Sequence, residues 1–406
     1  MKRFLLACLA LFSLALAPAG HAQLRPEAQS LRDFEKVLDK AAQAPDFVGL
    51  AVAVVRDGKP VLIRTYGERE AGSGQPVTPN TVFRLASISK GFAATLAAIE
   101  VNEHKFTWGD KVASSVPQLR LRTTGDTDAL TVEDILSHRT GLPPFAYDNL
   151  LEAGTAPLDI VRRYSGVRLI CPVGDCYAYQ NSAYNLIAPV IEAATGDSYA
   201  TLLRQRLLDP LGMKTASLGS AGLTATGDWA HPHVRKDGEW KPVPVKEAYY
   251  RLPAAAGVNA SIADMAIWLA AMTGERPDVV PEAVLDDLRK VRTDTPVDLR
   301  RAAAQKLPVK QTGYGLGWRV YDYGGYQVVA HSGSVEGYAA QIAYLPDRRA
   351  GIVILTNTRA SRTAKLVPTW LDYELGLPRG DWLKLDEAMA AANASTFGDD
   401  LLPSPR

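Results

Sequence analysis

The chain has 406 residues, 47% of them apolar and 22% charged, a globular composition long enough for one large or two interlocked units. Its 45 basic and 44 acidic side chains leave a net charge of +1, so no bulk attraction draws it to nucleic acid or to an anionic membrane.

The first 22 residues read as a signal peptide. Lys2 and Arg3 precede an apolar run from Phe4 to Ala17, and Gly20, His21 and Ala22 offer small residues for cleavage before Gln23. The run is short for a bilayer span and no later stretch is long enough, so no membrane span is expected after cleavage. The expected location is periplasmic or secreted. Cys8 leaves with the signal. Cys171 and Cys176 remain, with Pro172 and Gly174 between them; in an oxidising compartment such a pair reads as a disulfide clamping a turn. A metal site is a weaker reading, because no second Cys/His pair accompanies them.

Residues 28–43 predict a helix with Leu31, Phe34, Leu38 and Ala42 on one stripe. Two β-rich runs, 48–56 and 59–66, flank Asp57-Gly58, a strong hairpin signal. Next comes Ser87-Ile88-Ser89-Lys90 at an apparent helix start. Residues three apart share a helix face, so Lys90 reaches the Ser87 hydroxyl. A serine hydroxyl needs an adjacent base, and a desolvated lysine can serve.

From about 90 to 300 the pattern is mainly helical. Tyr179 and Asn181 follow the cysteine pair; a tyrosine held near a lysine could act as base and acid, and an asparagine could orient Lys90 and a substrate amide. Ser261 and Asp264 resemble a capping box opening a helix at 265–272. Strands return at 317–323, 325–330, 337–345 and 351–356, then a last helix at about 362–375 and a loose tail at 391–406. His331-Ser332-Gly333-Ser334 is placed between two of these strands, where a glycine permits close approach and the Ser87 and Ser334 N–H groups could hold an oxyanion.

Strands at both ends with helices between predict an α+β fold: an antiparallel sheet from N- and C-terminal strands, flanked by helices, with an inserted mainly helical domain. One domain is expected over 23–390, its sheet part at about 28–85 and 300–375 and its helical part at about 90–300.

The order of these boxes, with Leu136-Ser137-His138, Gly141-Leu142-Pro143, Pro210-Leu211-Gly212-Met213, Tyr314-Gly315-Leu316-Gly317-Trp318 and Gly337-Tyr338, resembles the penicillin-recognising serine hydrolases, in their class C β-lactamase and DD-peptidase branch, over about 28–375. The resemblance implies Ser87 as nucleophile forming an acyl-enzyme, Lys90 and Tyr179 sharing the proton work, and Asn181, His331, Ser332, Gly333 and Ser334 binding substrate. It implies no metal or organic cofactor and a small-molecule or peptide substrate; a monomer is expected. β-Lactamases of this branch usually carry lysine where His331 stands, so a D-residue peptidase is preferred to a β-lactamase, an esterase on the same scaffold, or a non-catalytic penicillin-binding or sensor domain. Among rivals, His231 and His233 lack an acidic cluster for a metal, His138 is read as packing, Gly313 to Gly317 fails the nucleotide-loop spacing, and no G-x-S-x-G elbow occurs.

Overall fold

The computed structural model describes residues 26–390. The proposed signal peptide and tail lie outside them.

The sheet is built as the apolar runs demand. β1 (Gly49–Arg56) turns through Asp57 and Gly58, both at positive φ, into β2 (Lys59–Gly67), the backbone that a two-residue hairpin favours. Asp57 N–H donates to the Arg349 carbonyl, tying this hairpin to a turn near the other end of the chain. Eight strands pair antiparallel in the order β2, β1, Ala350–Thr356, Tyr338–Leu345, Tyr326–Val335, Arg319–Tyr323, Val309–Tyr314 and Thr293–Asp294. The joint between the two chain ends is the β1 pairing with 350–356, with Val52 opposite Ile354 and Ala53 opposite Val353.

β1 is buried on both faces because successive side chains alternate between two cores. Leu50, Val52 and Val54 join Phe34 and Leu38 of helix α1 (Pro26–Ala42) and Leu366, Trp370 and Leu371 of the last helix, Arg362–Leu375. Ala51, Ala53 and Val55 face the other way, toward the helices of the middle region. A central member there is α2 (Ser89–Asn102), buried from Ser89 to Glu100. A helix enclosed on every side has an apolar surface all round, and the run from Phe92 to Ile99 supplies it.

Three local expectations are corrected. The strand expected to end at Ala330 continues to Val335, so the His331–Ser334 stretch lies inside a strand rather than between strands. Pairing with 338–345 overrides the weak strand propensity of Ser-Gly-Ser: Gly333 stands opposite Ala340 and Ser334 opposite Ala339. Strands 309–314 and 293–294 have no counterpart in the sequence reading; they add to the sheet edge by pairing. The capping box at Ser261 is half formed. The Ser261 hydroxyl accepts the Asp264 N–H, but the Asp264 carboxylate turns to the N–H and hydroxyl of Thr215, at 2.7 and 2.6 Å.

Candidate active site

Ser87 stands in a single 3-10 turn, Ala86–Ile88, at the head of α2. β3 (Val82–Arg84) leads into it and pairs with Val258–Ser261. Ala86 takes φ +48°, a left-handed conformation that costs an L-residue about 1–2 kcal/mol. Ser89 offsets part of this: its hydroxyl donates to the Ala86 carbonyl at 2.6 Å and accepts the Val258 N–H at 2.9 Å. The turn therefore presents Ser87 to the cleft while Ser89 is buried beneath it.

Lys90 is fully buried and its three N–H donors have three acceptors: Ser87 Oγ at 3.3 Å, Asn181 Oδ1 at 2.8 Å and the Ala255 carbonyl at 3.1 Å. Desolvation pushes its ammonium down to about 7, against the pull of Asp148 and with help from Arg319. Asn181 donates its amide to Asp148 Oδ2 at 2.7 Å, so its carbonyl is turned to Lys90. Asp148, whose carboxyl burial pushes upward, also receives the Tyr249 hydroxyl at 3.3 Å.

Tyr179 lies over Lys90, with Nζ 4.7 Å from the ring centroid. Burial raises its phenol well above the usual value, opposed by a hydrogen bond with Ser87. Enclosure thus works against the expectation that Tyr179 could act as a base beside Lys90. Enclosure keeps the phenol neutral, and Lys90 is the group brought near neutrality.

His331 departs furthest from expectation. It is buried, and its ring belongs to a chain of neutral groups. The Gln180 N–H donates to His138 Nδ1 at 3.1 Å, which leaves the His138 proton on Nε2, 3.2 Å from the Tyr314 hydroxyl. Tyr314 in turn donates to His331 Nε2 at 3.0 Å, and His331 Nδ1–H reaches the Ser332 carbonyl at 2.9 Å. Burial holds both histidines well below their ordinary pKa, with Lys90 and Arg319 adding repulsion. Both His331 nitrogens are engaged and the ring is held neutral, so His331 presents no positive charge to the cleft. Through Gln180 N–H and Tyr314, His138 links the Tyr179 loop to the 326–335 strand.

A cation that lines the cleft beside His331 is Arg319, which sequence reasoning missed although it directly follows the Gly315-Leu316-Gly317-Trp318 box. Its guanidinium lies 5.9 Å from the Tyr179 centroid and pairs with Asp298; Arg301 stands 3.6 Å from the same carboxylate. Asp148 was missed as well, and no local pattern marks it.

Strand 326–335 pairs with 319–323 only as far as Ala330. From His331 to Val335 that edge is open beside Ser87, and Ser332 and Ser334 are exposed along it. Gly333 permits the approach: a Cβ there would lie 2.0 Å from the Leu85 carbonyl oxygen and 3.2 Å from Ser87 N. The cleft has two lobes that share Ser87, Phe145, Tyr179 and Ser334. One holds Asn181, Asp148 and Tyr249, the other Tyr177, Ser332, Arg301 and Arg319.

Cys171 and Cys176 are joined in a disulfide, Cα to Cα 6.2 Å, just before the Tyr177–Asn181 stretch. Ile170 N–H donates to the Gly141 carbonyl and Ala178 N–H to that of His138, so the bridged loop is fastened on both sides. His231 and His233 point to separate partners, Glu70 at 3.0 Å and the Ala71 N–H at 3.1 Å.

The Beta-lactamase family model matches residues 34–373, which include every residue of this cleft. The chain belongs to the beta-lactamase family. Among curated relatives of this family member, the unguisins hydrolase ungD' of Aspergillus campestris is 29% identical over 92% of this chain and 72% of its own length. Two solved structures share the fold. The octameric penicillin-binding protein homologue from Pyrococcus abyssi superposes with a TM-score of 0.74 at 24% identity, over 86% of this chain and 78% of its own. EstCE1, a hydrolase with promiscuous acyltransferase activity, does so with 0.70 at 17%, over 85% and 99%. Among the described residues, no helix is long and apolar enough to cross a membrane.

Proposed function

We propose that this beta-lactamase family member is a serine hydrolase of the class C and DD-peptidase type that cleaves amide bonds of D-residue peptides through an acyl-enzyme on Ser87. The observation that carries the reading is Lys90, 3.3 Å from Ser87 Oγ, with its ammonium brought down to about 7. As the free amine, Lys90 takes the Ser87 proton while Oγ attacks the substrate carbonyl. The Ser87 and Ser334 N–H groups receive the developing oxyanion. Neutral Tyr179 hands a proton to the departing amine and is recharged through Lys90. Water then releases the acyl group, with the same groups acting in reverse.

A carboxylate-bearing leaving group is supported by charge: Arg319 and Arg301 face the single carboxylate of Asp298. A substrate lying along the open strand edge would add backbone hydrogen bonds there. The disulfide supports an exported enzyme.

The mechanism fixes the pH response. Lys90 must be unprotonated to accept the Ser87 proton, so kcat/KM for an uncharged ester rises with pH through about 7 and levels off above it. A profile that is flat or falling across neutrality would remove Lys90 as the base.

The reading itself is tested by intact mass spectrometry of the protein mixed with a penicillin, with Ser87→Ala alongside. A persistent adduct on the wild type alone is the expected result, since a DD-peptidase deacylates slowly from penicillin. Rapid consumption of penicillin without an adduct would make the protein a β-lactamase instead. An adduct on both proteins would place the nucleophile elsewhere.

A further inference from the structure

The cleft does not end at Ser332. A chamber of about 440 Å³ continues from it, and Asp298, Arg301, Arg319 and Ser332 line both spaces. The rest of the wall is mostly apolar, with Leu307, Val309, Tyr321 and Tyr323 on the sheet side and Pro368 and Leu371 of the last helix, and it carries Thr295, Gln305 and Thr312 as further polar groups. Helix Pro296–Ala304 closes another side and buries only Ala302. A helix with so little buried apolar surface opens at small free-energy cost. At its head Thr295 is 1% exposed and lines the chamber, and its hydroxyl has no partner. A buried hydroxyl left unpaired is costly, so it favours a ligand that supplies an acceptor.

The chemistry at the mouth and inside it differs. The mouth carries two guanidinium groups against one carboxylate, an excess of positive charge. The interior offers apolar walls of aromatic and aliphatic side chains. A ligand with an anionic head and a bulky apolar body matches both. Tyr179, which in the proposed mechanism gives its proton to the departing group, lines both lobes and lies 5.9 Å from Arg319, which lines only this one, whereas Asn181 lines only the other.

We propose that the chamber is a leaving-group subsite, which takes the bulky apolar side chain of a residue whose carboxylate faces Arg301 and Arg319. This rests on the acyl-enzyme reading and names its substrate class: peptides ending in a large apolar residue rather than in alanine.

Two depsipeptides that share one acyl group and leave as D-lactate or D-phenyllactate test it. Ala302→Trp fills the chamber from the covering helix, and Ala364→Trp fills it from an exposed position of the last helix where folding is undisturbed. Wild type is expected to prefer the phenyllactate ester. Each variant loses about tenfold or more of kcat/KM on that ester and less than about twofold on the lactate ester. Calorimetric binding of free D-phenyllactate falls in both variants and is unchanged in Ser87→Ala.

Equal losses on both esters, or an undiminished preference in both variants, overturn the proposal. So do losses that follow the acyl group when it is varied instead. If neither ester is hydrolysed, the binding of D-phenyllactate decides. Hydrolysis that persists in Ser87→Ala, with phenyllactate binding still weakened by Ala302→Trp or Ala364→Trp, sinks the nucleophile and leaves the chamber standing.

Discussion

Replacing Ser87 with alanine lowers kcat for ester or amide hydrolysis by about 10⁴-fold to 10⁶-fold, the range seen when a serine nucleophile is removed from an otherwise intact site. The size follows from the geometry. Lys90 has three donors, and two of its acceptors, Asn181 Oδ1 and the Ala255 carbonyl, carry no proton to give up. Ser87 Oγ is the third and the group that can pass Lys90 a proton. Without it the remaining amine faces fixed acceptors and the cleft retains only binding and oxyanion stabilisation. Circular dichroism is expected to be unchanged, since Ser87 is half-exposed and the turn is held by Ser89. Activity measured on a nitrophenyl ester that stays within about tenfold of wild type would refute the assignment.

Gly333→Ala is expected to damage stability and activity together. A Cβ at this position would meet the Leu85 carbonyl oxygen at 2.0 Å, and that atom is backbone. It cannot swing aside as a side chain would. Either the 326–335 strand withdraws from the nucleophile turn or the turn shifts along α2. Overpacking of this kind costs about 1–3 kcal/mol. A displacement of the strand edge by about 1 Å from Ser87 lowers catalysis by about a hundredfold. Denaturant melts and steady-state rates on the same preparation check both. A variant with wild-type stability and rate would show that the close approach of strand and turn has no bearing on the chemistry. Ser332→Ala is the natural comparison, because that side chain is exposed and its removal leaves the strand in place.

The parts of this molecule that were legible in sequence are those decided by neighbours along the chain. The Asp57-Gly58 turn requires two residues that tolerate positive φ, and any chain with them between two β-rich runs folds locally into a hairpin. The stripe of Phe34 and Leu38 and the helix at 362–375 follow from period alone. Ser87 and Lys90 meet because they are three apart where a 3-10 turn runs into α2. The α+β fold class was readable for the same reason, from the order of locally specified elements.

What the tertiary structure decided depends on partners far away in the chain. The strand through His331–Ser334 exists because 338–345 pairs with it, against the propensity of its own residues. Lys90 is held out of water by Asn181 and Ala255, 91 and 165 residues away in the chain. His331 looked like a weakened substitute for a cation until Tyr314 and His138 were seen to bind its ring as a neutral link, and Arg319 emerged as the charge that lines the same lobe. Desolvation and hydrogen-bond direction are properties of an enclosure. An enclosure has no period and no fixed spacing, so it becomes visible only when the chain is folded.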